Sequence, residues 1–252
     1  MMRLFLVLLL VAGFLAGVFI FAPLGQVLQL TGASKHGFSW TRAEGSVMDG
    51  RLQGMNFQGK NYGDAGLKLD PGALLGGRVQ YAIDWASEQG RGIGNISFGS
   101  GREIEIRDFD IDLDLLRLEQ AARWIQQSGG RVQLTGGKVR FKDNQCAEAT
   151  GTARSDVLDR NREILGSGWT DMQGDLHCNE GDLIIPLQSE NGSGTRFLAQ
   201  LRVAPGKPGR FEARVSGMIP RQLQFALPIA GFKPDGNDFV YAYASSLRNS
   251  PL

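Results

Sequence analysis

Histidine is almost absent: of 252 residues only His36 and His177 carry an imidazole, the side chain that most often moves protons or binds a metal near neutral pH. The chain also lacks a G-x-S-x-G nucleophile elbow, a G-x-x-x-x-G-K-[ST] phosphate loop and an H-E-x-x-H metal pair. Gly90, Gly92 and Gly94 read G-x-G-x-G, but they lack the strand-to-helix setting and the third spacing of a dinucleotide loop, so they read as turn chemistry. The expectation is a protein that is not an enzyme and uses no cofactor. An exported hydrolase working through His177 is the alternative of that class. Charge of one sign is missing too, since 27 Lys and Arg nearly cancel 26 Asp and Glu. No bulk basic surface is left to neutralise a run of phosphates, which argues against a nucleic-acid partner.

Cysteine is scarce, with Cys146 and Cys178 alone. A metal site would need more ligands than these two and the nearby His177 supply, so no metal is expected. In an oxidising compartment an even pair favours a Cys146–Cys178 disulfide, which would contribute about 3–4 kcal/mol through the unfolded state. Two buried free thiols are the alternative.

What the chain does have begins at its N-terminus. From Leu4 to Leu24 there is no ionisable side chain, and as a helix this run spans about 30 Å, the thickness of a bilayer's hydrocarbon core. Arg3 precedes the run and the next basic residue, Lys35, comes well after it, so the N-terminus is expected to stay in the cytoplasm. A cleaved signal peptide is the alternative, but its apolar region is usually about 7–15 residues and ends at a small-x-small site. Either way the rest is exported.

Beyond the run the hydrophobic period becomes two. Met55 and Phe57, Leu67 and Leu69, then Val79, Tyr81, Ile83 and Trp85 alternate with polar residues and are separated by glycine-rich breaks, the signature of an antiparallel meander of half-buried strands. Ile104 and Ile106 continue it, and Phe109, Ile111 and Leu113 resume one residue out of phase. That slip requires a bulge or turn between Arg107 and Phe109. Within DLLRLEQAARWIQQ, Leu115, Leu118, Ala122 and Ile125 recur at helical steps and Gly129-Gly130 stops the run, which predicts one short amphipathic helix. Strand patterns then resume from Val132 to Tyr243. Asp108, Asp110, Asp112 and Asp114 fall on one face of an extended strand, about 6.5–7 Å apart, too spread for one hard cation without a sharp turn. A solvated face is the plainer reading. The apolar side of such a sheet either seals a core or encloses lipid tails, and periodicity alone does not separate the two.

The order of features resembles a known family. The span ends in Pro23-Leu24-Gly25-Gln26-Val27-Leu28, and Glu44-Gly45-Ser46-Val47-Met48-Asp49-Gly50-Arg51-Leu52 follows, with Met48 where the family commonly has Trp. Later comes Leu67-Lys-Leu-Asp-Pro-Gly-Ala-Leu-Leu-Gly-Gly-Arg-Val79 and then the two cysteines. This layout resembles protein N of the bacterial type II secretion system. The resemblance implies an accessory inner-membrane subunit with no catalytic residues, whose partners are other secretion components. A membrane-anchored lipid-binding or lipid-transfer groove is the alternative, with lipid as the partner.

The expected layout is a short cytoplasmic start at 1–3, a transmembrane helix at 4–24, a linker at 25–44 and a periplasmic β domain at 45–252. The expected fold class is all-β: one N-terminal transmembrane helix, then an extended antiparallel, meander-like sheet with one short amphipathic helix in the middle. Contact with partners is expected at sheet faces or by strand addition at an exposed edge.

Overall fold

The two-residue rhythm becomes strand almost wherever the sequence carries it. The structure, a computed structural model, describes residues 21–117, 129–166 and 168–244, and it is mostly antiparallel β-sheet. Two compact units are distinguished: Met1–Glu88 with Gly92–Ser97, and Gln89–Arg91 with Phe98–Leu252.

The first unit opens with helix α1 (Leu24–Leu30) and a short 3-10 turn (Ala33–His36). Strands β1 (Phe38–Ser39) and β2 (Arg42–Gly45) both pair with β3 (Asp49–Phe57), which pairs with β4 (Lys60–Leu69), which in turn pairs with β5 (Val79–Ser87). Strand β6 (Gly90–Gly99) follows β5 in the sheet. Gln58 and Gly59 link β3 to β4 with both φ angles positive, 51° and 83°. This is the turn whose twist matches a two-residue hairpin. Helix α2 (Pro71–Leu75) starts where the Asp70 carboxylate accepts a hydrogen bond from the Gly72 N–H at 2.8 Å, with proline at the first helical position.

Residues 25–44, read from the sequence as a linker, therefore carry a helix and two paired strands. The pattern was faint because β1 and β2 are too short to show a period. Packing reveals the segment instead: Leu24 is buried against Gly50, where a Cβ would sit 2.7 Å from Leu24 Cδ2.

The second unit begins with β7 (Glu103–Asp114), β8 (Arg131–Lys142) and β9 (Gln145–Ser155). Helices α3 (Val157–Arg160) and α4 (Arg162–Leu165) follow, then β10 (Met172–Asp175), β11 (His177–Asn179), β12 (Asp182–Glu190), β13 (Thr195–Val203) and β14 (Arg210–Gly217). Helix α5 (Arg221–Ile229), β15 (Lys233–Asp235) and β16 (Asp238–Ala244) end the described chain. The spatial order is β7-β8-β9-β10-β12-β13-β14-β16-β15, and β11 pairs beside β12. Hairpins at Asp143-Asn144 and Glu180-Gly181 repeat the paired positive φ of the first unit.

Two cores hold this unit. One packs Val157 and Leu158 of α3 and Leu223 and Leu227 of α5 against Phe197, Ala199, Ala213 and Val215 of the sheet. Trp169 meets Phe197 edge to face at 6.4 Å, a favoured aromatic geometry. Leu158 and Val215 are wholly buried, and each such side chain is worth about 1.5–3 kcal/mol in transfer free energy. The other core gathers Phe109, Val139, Phe141, Cys146, Ala153, Leu176 and Leu183.

The phase slip expected after Arg107 is present. Asp108 takes a left-handed φ of 49°, so Ile106 and Phe109 both join the second core despite their odd spacing. Of the expected amphipathic helix, Leu115–Arg117 forms a 3-10 turn, begun by Asp114 Oδ1 accepting from the Leu116 N–H at 3.0 Å. Residues 118–128 lie outside the described residues, as do residues 4–20 of the expected span. Among the described residues no helix is long and apolar enough to cross a membrane.

Candidate functional site

The groups that sequence singled out for chemistry lie in local contacts or in solvent. His177 Nδ1 lies 3.1 Å from the Asp175 main-chain oxygen. Asp112 lies between Arg91 at 3.9 Å and Arg131 at 4.0 Å, and Asp114 faces Arg117 at 3.8 Å while capping the turn that follows. Asp108 and Asp110 are exposed. The run is thus shared out among arginines, a cap and solvent. Among the described residues no three His, Cys, Asp or Glu side chains are placed to hold one ion. Gly90 to Gly94 lie in strand β6, not in a phosphate-binding loop.

Cys146 and Cys178 are joined as a disulfide, their Cα atoms 5.5 Å apart. The bridge ties β9 to β11 at the edge of the second core, where the Cys146 N–H also donates to the Gly181 oxygen at 2.7 Å. It staples the sheet.

Two charge networks lie on the strands. Glu148 accepts from Lys138 at 2.8 Å and lies 3.3 Å from Arg140. The Lys138 hydrogen bond is the largest cause holding the Glu148 carboxyl below its ordinary value, and the positive charges of Lys138, Arg140 and Arg107 add to it against a smaller opposing effect of burial. Arg214 sits between Asp238 at 3.0 Å and Asp235 at 3.2 Å, and these bonds raise its pKa further. Both networks pair their charges locally, as a solvated sheet face does.

One apolar face of the first unit is only partly covered. In the first unit the register stacks Leu52, Ala65 and Trp85 across β3, β4 and β5, beside Leu67 with Ile83 and Leu69 with Tyr81. These residues share one face because side chains alternate along each strand. Leu24 of α1 covers its β3 end. Leu52, Ala65 and Leu69 are buried, whereas Leu67, Tyr81, Ile83 and Trp85 stay only half-buried. Burial pushes the Tyr81 hydroxyl's pKa up. The Trp85 indole N–H donates to the Tyr62 oxygen at 2.5 Å, which fixes the ring on the sheet and leaves an apolar surface at the β5 side.

Strand addition has less to work with. In the first unit β1 has two residues, and in the second β15 has three, one of them Pro234. Short edges with proline are poor templates for another strand.

The family model for type II secretion system (T2SS), protein N matches residues 36–241. The chain belongs to this family. Membership makes it a component of the type II secretion machinery. The matched stretch covers both units from β1 into β16 and includes the disulfide and the stacked apolar face of the first unit. No curated protein and no solved structure is matched by the chain.

Sequence reasoning missed α5 and the residues around it. Leu223 and Leu227 are buried there, while Met218, Phe225 and Ile229 are 72%, 76% and 89% exposed. The signal was Pro220 followed by apolar residues four apart; Pro228 hid it, because proline inside a helical pattern reads as a break.

Proposed function

We propose that the chain is a non-enzymatic, accessory inner-membrane subunit of the type II secretion system. Leu4–Leu24 spans the bilayer with the N-terminus in the cytoplasm, and both β units lie in the periplasm. The half-covered face carried by Leu67, Tyr81, Ile83 and Trp85 is the contact with another secretion component. That in-register apolar face carries the reading: its four large side chains are aligned across β4 and β5 and only half-buried, so a partner laid on them would complete their burial. The uncharged run before α1 and the family's role support it.

Acyl chains are the second occupant the same face would fit, because its lining is aliphatic and aromatic. One experiment separates the two. A photo-crosslinking residue is placed at Ile83 of the full chain and activated in native membranes. The expected result is a full-length, membrane-fraction protein crosslinked to another secretion subunit, with loss of secreted substrate in an Ile83→Asp variant whose disulfide and abundance are unchanged. Adducts with lipid alone would favour the groove reading. A freely soluble chain beginning after residue 24 would remove the anchor.

A further inference from the structure

Helix α5 is apolar on both sides. Leu223 and Leu227, four residues apart, point into the core, while Phe225 and Ile229, also four apart, point outward. The outward side chains stand on a firmly tied base. Thr195 Oγ1 donates to the Met218 oxygen at 2.5 Å, Gln224 Nε2 to the Ile219 oxygen at 2.9 Å, and the Phe232 N–H to the Leu227 oxygen at 2.9 Å. Thr195 and Phe232 are themselves buried. The exposure of Met218, Phe225 and Ile229 is therefore built into the fold.

The charges in the segment that carries the ridge are basic, and Asp235 just beyond it is paired with Arg214 at 3.2 Å. From Met218 to Pro234 the chain has Arg221 and Lys233 and no Asp or Glu, and both cations are exposed. With about 200 Å² for a fully exposed large side chain, the three ridge residues offer on the order of 450 Å², short of the roughly 800 Å² per partner of a stable protein interface. Insertion into the headgroup boundary of a bilayer needs no such area. Its strength scales with the apolar area inserted plus the attraction of flanking cations to anionic lipid, each cation favouring an anionic surface by about fivefold.

We infer that Met218, Phe225 and Ile229, with Arg221 and Lys233, form a lipid-contacting ridge that seats the second unit on an anionic bilayer surface. The ridge acts separately from the span at Leu4–Leu24 and from the face at Ile83, so each can fail alone.

The test uses the full chain with Ile229→Cys, labelled with an environment-sensitive fluorophore; the native cysteines are bonded to each other and do not react. Lys142→Cys on β8 is the control. The protein is mixed or reconstituted with vesicles of phosphatidylethanolamine containing phosphatidylglycerol. Expected is a blue-shifted label at position 229 that is quenched by spin labels on acyl chains and shielded from iodide, while the label at position 142 shows neither. Arg221→Gln with Lys233→Gln should cut the quenched fraction, as should replacing the anionic lipid. A Phe225→Cys label should repeat the pattern. Iodide quenching at position 229 equal to that at 142 would overturn the inference. So would shielding that is complete without vesicles, which means the chain itself or a second copy covers the ridge. Shielding found in native membranes but not in pure lipid would assign the ridge to a protein and equally overturn it.

Discussion

The ring of Phe109 lies over Gly136, its register partner on the neighbouring strand, and a Cβ at that glycine would run into the ring. Gly151, one strand further, also borders the ring: a Cβ there would come within 3.3 Å of Phe109 Cζ and 2.9 Å of the Gly136 Cα. The register between β8 and β9 shifts between Thr135 and Lys138, at this place. Left-handed Asp108, the shift and the two glycines are one device. It moves Phe109 into the core and clears the space its ring occupies.

Gly136→Ala should therefore destabilise the second unit by about 1–3 kcal/mol, the usual cost of forcing atoms into a packed site. Phe109→Ala should cost about 3–5 kcal/mol for the lost ring and its cavity. The two changes should not add: Gly136→Ala combined with Phe109→Leu should recover part of the loss, since the contact with the ring is relieved while the one with the Thr150 main-chain oxygen, 2.8 Å from that Cβ, remains. Urea unfolding of the full chain, followed by tryptophan fluorescence, reads the midpoints. Additive losses would show that the ring and the glycine do not share the space described.

Breaking the staple should be costly in a different way. The 32-residue separation of Cys146 and Cys178 corresponds to about 3–4 kcal/mol of unfolded-state entropy. Cys146→Ala with Cys178→Ala should lower the unfolding midpoint accordingly, and added reductant should then have no further effect. Alkylation of the native chain without reductant should leave both cysteines unlabelled; ready labelling of either would refute the bond.

Glu148 should give a small, acid-sensitive contribution. Its folded pKa lies below the ordinary 4.5, so its stabilisation is fully present above that value and is lost as pH falls through the lowered folded value. Glu148→Gln should be slightly less stable than the native chain at pH 7 and indistinguishable from it in strong acid. High salt should also shrink the difference, because the carboxylate is partly exposed to solvent. A difference that grows as pH falls would contradict the sign.

Much of the architecture was legible because period and punctuation agreed. Val79, Tyr81, Ile83 and Trp85 form one side of β5, and Phe197 to Val203 and Phe211 to Val215 are strands as their alternation implies. The slip before Phe109 was visible as a phase error. Before β3 the helical turn over Gln26–Leu30 was legible and is present in α1, but β1 and β2 were not, because they are short and owe their place to pairing with β3. Helix α5 was not legible either, since Pro228 interrupts the local pattern and packing of Leu223 and Leu227 overrides it.

Sequence alone determined the β character, the uncharged run at the front, the poverty in proton-transferring groups and the resemblance to the secretion family. The first three follow from composition and spacing along the chain, and the resemblance rests on the motifs at Pro23–Leu28, Glu44–Leu52 and Leu67–Val79. Only the tertiary structure decided which apolar residues remain uncovered. Alternation says that Tyr81, Ile83 and Trp85 share one face of their strand; that Leu52 joins them is decided by the strand register. Whether another element lies over them depends on contacts between residues far apart in the chain, and local pattern does not carry that information.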